Sequence, residues 1–538
     1  MSKYTFLVPV GFDLDRLIQT FPPNIALFKP EKVLYILDVL AQVPARNHDA
    51  GDDKDGYVPL NASVLRDNIG NKYHLYLDWL VKSGVLECNG YFSVDKQQSR
   101  KYKLTPLYDT DVHGCTIDIS EWMKRKVTVP VPAAVNTPNW WEYSLTVPEC
   151  AALKDKLPTH SSGLNQSEQA EYNDWMRQLY PALFKWYDIN GLQIDTTLAA
   201  QYNDTLWRLR EHAIVDAEKR WNRKSKVWLP KSHTNQLRSN SYNIHDFTRQ
   251  NYYPHFDPNV LRLYSSLVSF NKEFRPAISW RGAPMVAIDI SNSQPYLLAA
   301  LLTPDFWIND GRGKSTVTLY NLPYHTNYTH LYPIADIITL CNFLEQTQPA
   351  DVVLFRQIVT SGKFYERLCH MIPKPKGRKP YERADMKTLM FKVLFTKNEA
   401  IDQGWAKAKR DFASLFPNVN ALIRLIQSTG NANLPCLLQR LESHLMYNHV
   451  VPRISCELKD APIFTIHDSI VTTVGNERRV ANILREELYY AIGNMPSYKY
   501  EYWNADKIQY ALGWYETLFE HVLNCFEQSF APTVDDYW

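Results

Sequence analysis

The chain has 538 residues, of which 45% are hydrophobic, 22% charged and 13% aromatic, and its formal net charge is +2. That length exceeds what one hydrophobic core serves and predicts about three or four domains. The composition excludes a disordered polyelectrolyte, and it excludes a membrane-embedded chain because the longest apolar run, Tyr296–Leu302, is far below the roughly 20 residues that span a bilayer.

In chain order, residues 1–29 form an amino-terminal segment that meets an acid and a proline before any long apolar stretch, which predicts an untargeted, cytoplasmic protein. Residues 30–107 read as a separate unit. "EKVLYILDVLAQV" has helical spacing, Asn61 can cap a short helix ending at Gly70, and "KYHLYLDWLVKSG" is a second amphipathic helix closed by Gly84. "VLECNGYFSV" and "SRKYKLTPL" then alternate like two strands. Three helices followed by two strands resemble a winged helix. The resemblance implies that the helix Lys72–Lys82 faces a nucleic acid groove or a replication partner, with Lys96, Arg100 and Lys101 of the wing on phosphates. The alternative is a winged helix used for protein contact.

Residues 108–270 read as mainly helical with a basic end, and residues 271–538 as a sheet interrupted by a helical insertion at about 303–450. Net charge says little about a polyanionic partner, but local clustering does. Lys219–Gln250 carries eight Lys or Arg against one Asp, and Met371–Lys392 carries seven against two acids. The eight cysteines (Cys88, Cys115, Cys150, Cys341, Cys369, Cys436, Cys456, Cys525) are far apart with no CxxC pair, so buried free thiols are expected.

Two carboxylates carry the chemical expectation. Asp289 follows "MVAI" and Asp468 follows "IFTIH", so each ends an apolar strand. A lone carboxylate is costly to bury, whereas two brought together can hold divalent ions. Between them, Arg383, Lys387, Phe391 and Phe395 recur every fourth residue and share one helical face. A cation pair in line with two rings suits a triphosphate and its base. The competing expectation places both rings in a core.

The pattern Asp289-x-Ser291-x-x-Gln294, then Arg383-x3-Lys387-x3-Phe391-x3-Phe395, then His467-Asp468-Ser469 resembles motifs A, B and C of the family A DNA polymerases and the related single-subunit RNA polymerases. It covers roughly residues 262–490, about two fifths of the chain. The resemblance implies an α+β right-hand polymerase fold, with a helical thumb-like region, a palm sheet and helical fingers behind the winged helix. It implies two Mg2+ ions, replaceable by Mn2+, on Asp289 and Asp468, and primer-template DNA and nucleoside triphosphates as partners. Arg383 and Lys387 would bind the triphosphate, with Lys387 the proton donor to pyrophosphate. Phe391 would pack on the incoming nucleotide, Phe395 on the templating pair, and Gln294 under the sugar. His467, Arg262, Arg275 and Gln439 would contact primer or template.

Gln294 stands where the DNA polymerases of the family have Glu and the RNA polymerases Gly, and Phe395 stands where both have Tyr; both departures lean to DNA. His-Asp-Ser, in contrast, is the RNA polymerase form. No proofreading constellation is found upstream. The leading expectation is a DNA polymerase of a phage or mobile element. The alternatives are a phage-type RNA polymerase or primase, and a catalytically silent nucleic-acid-binding protein.

Overall fold

The computed structural model describes residues 2–46, 56–90, 99–127, 166–214, 219–222, 227–230, 232–308, 317–323, 325–372, 380–398 and 406–530. The fold mixes helix and sheet.

Near the amino terminus, helix Pro30–Arg46 buries Val33, Leu34, Ile36, Leu37 and Leu40 along one stripe. Helix Ala62–Ile69 begins at Asn61, whose side chain accepts from the Ser63 N–H at 2.8 Å, and stops at Gly70 with φ +86°. Helix Tyr73–Lys82 follows, and the strands Val58–Pro59, Lys101–Leu104 and Leu86–Cys88 pair in that spatial order. This helix turns Tyr76, Leu77, Trp79 and Leu80 inward and leaves Lys72, His74, Asp78 and Lys82 exposed. Lys96 lies outside the described residues. The unit is larger than residues 30–107. Strand Ser2–Pro9 pairs antiparallel with Val112–Ile119, and Phe6, Val8, Phe12, Leu17, Ile119 and Met123 share its core.

A second core runs from Tyr172 to Ile508. The expected boundary at residue 270 does not interrupt it, because strand Leu192–Ile194 pairs with Ile278–Trp280 and so joins the helices on either side of it to the main sheet. That sheet runs Phe464–Ile466, Ser469–Thr473, Ala283–Ile290, Ile278–Trp280, Leu192–Ile194, with Tyr498–Trp503 also paired to Ala283–Ile290. The middle strand is apolar because both its faces are covered: Met285, Val286, Ala287 and Ile288 are buried. It is entered through the two-residue turn Arg281–Gly282, with φ +48° and +82°, whose twist matches a hairpin. Gly191 lies against the Trp280 indole, where a Cβ would meet ring carbon at 2.4 Å. Between the Asp289 strand and the Asp468 hairpin, the described chain is helical, including Ile334–Thr347, Ala350–Thr360, Phe364–Met371, Arg383–Phe395 and Asn433–Leu445.

Part of the first basic run is buried. Lys219–Asn222 and Val227–Pro230 pair antiparallel, and the helix His233–Thr248 is buried between the two cores. Its Arg238 pairs with Asp109 at 2.7 Å, and its Asp246 pairs with Arg46 at 3.4 Å while Arg46 stacks on Tyr253 at 4.1 Å. These charges fasten the amino-terminal unit and are not available to a polyanion. Residues 373–379 of the second run lie outside the described residues. Of the cysteines, Cys341 is fully buried but Cys456 is exposed. Among the described residues no helix is long and apolar enough to cross a membrane.

Candidate active site

The two aspartates end neighbouring strands. Asp289 is in register with Ser469 on one side and Lys499 on the other, and the Ser469 hydroxyl donates to Asp289 Oδ1 at 2.7 Å. Asp468 sits in the two-residue turn between Ile466 and Ser469, and its carbonyl accepts from the Ile290 N–H at 3.4 Å. His467, the other turn residue, takes φ +52°, a left-handed conformation that a non-glycine residue holds only when its surroundings enforce it. Burial pushes the Asp468 carboxyl up to about 8, and the negative charges of Glu442 and Asp289 push the same way.

Glu442 is the residue that sequence reasoning missed. It lies on helix Asn433–Leu445, 3% exposed, and takes Arg262 in a forked pair at 2.7 and 3.0 Å. Its Oε2 also accepts from Gln294 Nε2 at 3.1 Å and from Ser293 Oγ at 3.4 Å. Arg262, expected on primer or template, is thus held by a buried carboxylate. The available clue was an acid among Leu438, Leu441 and Leu445 on an apolar helix face, which requires a buried cation.

Helix Arg383–Phe395 buries Met386, Leu389, Met390, Val393 and Leu394 and exposes Arg383, Lys387, Phe391 and Phe395. The four residues expected on one face are thus on the open face, and the rings are not core: Phe391 is 48% exposed, Phe395 37%, their centroids 5.5 Å apart. Glu382 and Asp385 form a reciprocal cap that starts the helix at Arg383. Arg383 pairs with Glu366 at 3.0 Å and lies 5.3 Å over the Tyr365 ring. Burial raises the Tyr365 hydroxyl to about 12, with the Arg383 charge opposing and the Asp468 charge adding.

His467 gathers the other expected contacts. Its ring meets Tyr264 edge-on at 5.5 Å, and burial, then the charges of Arg262 and Arg275, hold it down to about 4, so it is neutral near pH 7. Arg275 lies 5.9 Å from the Trp503 ring and in the field of Glu501 and Asp289. Gln439 is half-buried on the Glu442 helix.

The donor set fits a hard divalent cation. Asp289 and Asp468 supply oxygen only, and ionising the deeper one without a nearby cation is unfavourable. No group of three or more His, Cys, Asp or Glu among the described residues is arranged to hold a metal. Mg2+ is commonly held by one or two carboxylates together with water and substrate phosphates.

No protein-family model matches the chain. No curated protein sequence matches it either. Among solved structures it is similar to the polymerase domain of Pol1 from M. smegmatis in complex with DNA primer-template and dNTP, at TM-score 0.35 and 11% identity, covering 68% of this chain and 81% of that one.

Proposed function

We propose that the chain is a template-directed nucleotidyltransferase, a DNA-directed DNA polymerase built like family A. The observation that carries the reading is the pair of carboxylates at one end of the sheet, Asp289 hydrogen-bonded to Ser469 beside Asp468, together with a helix, Arg383–Phe395, that leaves two cations and two rings on its open face.

Asp289 and Asp468 would hold Mg2+, which when bound supplies charge neutralisation for the primer hydroxyl and the leaving pyrophosphate. Arg383 and Lys387 grip the triphosphate. The Arg383–Glu366 pair is half-exposed and worth at most about 1 kcal/mol, so the guanidinium exchanges to phosphate at little cost. Lys387, exposed one turn on, donates a proton to the departing pyrophosphate. Phe391 stacks on the incoming nucleotide and Phe395 on the templating pair. Ser293 and Gln294 form the floor under the sugar. His467, neutral, meets the primer terminus by hydrogen bonding, with Arg275 and Gln439 on primer or template. Arg262 acts through Glu442. The amino-terminal unit presents helix Tyr73–Lys82 with Arg100 and Lys101 to nucleic acid or a replication partner.

Extension of a labelled primer on a DNA template, with Mg2+ and either dNTPs or NTPs, tests the reading. Extension by dNTPs that is lost in Asp468→Ala supports it. Products from NTPs alone move the assignment to an RNA polymerase, and binding without any product leaves only the nucleic-acid-binding alternative.

A further inference from the structure

Burying the Glu442–Arg262 pair is not explained by stability. Desolvating two charges costs several kcal/mol per ion, and apolar residues of the same volume generally hold a core as well or better. What the pair adds is orientation. Glu442 Oε2 accepts from Gln294 Nε2 at 3.1 Å and from Ser293 Oγ at 3.4 Å, both in the turn just after Asp289. With Nε2 held inward, the other end of the amide, Gln294 Oε1, is buried and has no hydrogen-bond partner among the described residues. Beside it, Asn292 is 5% exposed, sits at φ +57°, and has neither amide atom partnered. Three buried polar atoms without partners, adjoining the proposed nucleotide site, are an expensive arrangement unless a polar ligand group meets them.

We propose that Glu442 is a positioning residue for nucleotide selection: it holds the Gln294 donor end inward, so that when nucleotide binding opens the turn after Asp289 the end uncovered is an acceptor, which pairs with a ribose 2′-hydroxyl. The inference rests on the nucleotide-binding reading above. Gln294 is as long as Glu and restricts the sugar by bulk; the locked acceptor returns part of that loss to ribonucleotides. A freely turning amide would present its donor end as often.

The experiment is an equilibrium titration of ATP and of dATP onto the full chain with Mg2+ and a primer-template. The primer ends in a dideoxynucleotide and the next template base is T. Two variants are compared with wild type. Arg262→Met/Glu442→Leu removes the lock without stranding a buried charge, and Gln294→Met keeps the bulk but removes the acceptor. Each is expected to lower the ATP-to-dATP affinity ratio about threefold to tenfold, the size of one neutral hydrogen bond. Because Gln294→Met leaves the Arg262–Glu442 pair intact, the test survives if the double variant does not fold. A ratio within twofold of wild type in the folded variants overturns the role of Glu442, while primer extension by wild type keeps the polymerase reading. A shifted ratio without primer extension supports the lock and sinks the polymerase reading, and failure of wild type to bind either nucleotide overturns both.

Discussion

Asp468→Asn separates function from stability. In the metal-free protein the Asp468 carboxyl is pushed from 3.8 up to about 8, first by burial and then by Glu442 and Asp289. The folded chain keeps a proton there that the unfolded chain releases. The associated stability is therefore fully present below pH 3.8 and is lost as pH rises toward 8. At about 1.36 kcal/mol per pH unit, a rise of that size is worth at most several kcal/mol. An amide in the same place is a buried polar group costing about 1–3 kcal/mol, so a net gain of a few kcal/mol is expected at pH 8. The assay is urea unfolding of wild type and variant in EDTA at pH 4 and pH 8. The variant should be clearly more stable at pH 8, with little or no advantage at pH 4, and added Mg2+ should protect wild type alone. Equal stability at pH 8, or the same gain at both pH values, would refute the placement of Asp468 in a desolvated, negatively charged site.

Glu442→Leu alone strands Arg262 and should cost about 3–5 kcal/mol in chemical unfolding, most of it recovered when Arg262→Met is added. Phe391→Ala, at a 48% exposed ring, should change stability by less than about 0.5 kcal/mol yet raise the KM for dNTP about tenfold; Met390→Ala next to it, buried, should cost about 2–5 kcal/mol. Asp38, whose Oδ1 accepts from the Leu7 N–H at 2.7 Å, is pushed by burial up to about 7. Asp38→Asn keeps the acceptor, so its stability advantage in thermal unfolding should be absent below pH 3.8 and grow as pH rises through 7, to a ceiling of about 4 kcal/mol. A flat difference across that range would contradict the burial of Asp38.

What the sequence revealed about the site was local in origin. Asp289 and Asp468 could be placed because each closes an apolar run, and the open face of helix Arg383–Phe395 because its spacing is a helical period. Glu442 and Arg262 are 180 positions apart, and only the fold brings them together. A separation of more than 100 positions likewise hid the pairing of Ser2–Pro9 with Val112–Ile119, which enlarges the amino-terminal unit. Within Lys219–Gln250, counting charge misled at Arg238, which reads as cationic surface until Asp109 is seen beside it. The turn at His467 was not visible, because a left-handed histidine is imposed by the strands on either side.

In the proposed function, Asp289 and Asp468 act together on one nucleotide. Single-nucleotide incorporation into a primed DNA template, timed under saturating dNTP and Mg2+, tests it in wild type, Asp289→Ala and Asp468→Ala, with primer-template affinity measured alongside. Each variant is expected to fold and bind the primer-template but to incorporate at least about 10²–10³-fold more slowly. Incorporation at the wild-type rate in either variant would contradict that joint role.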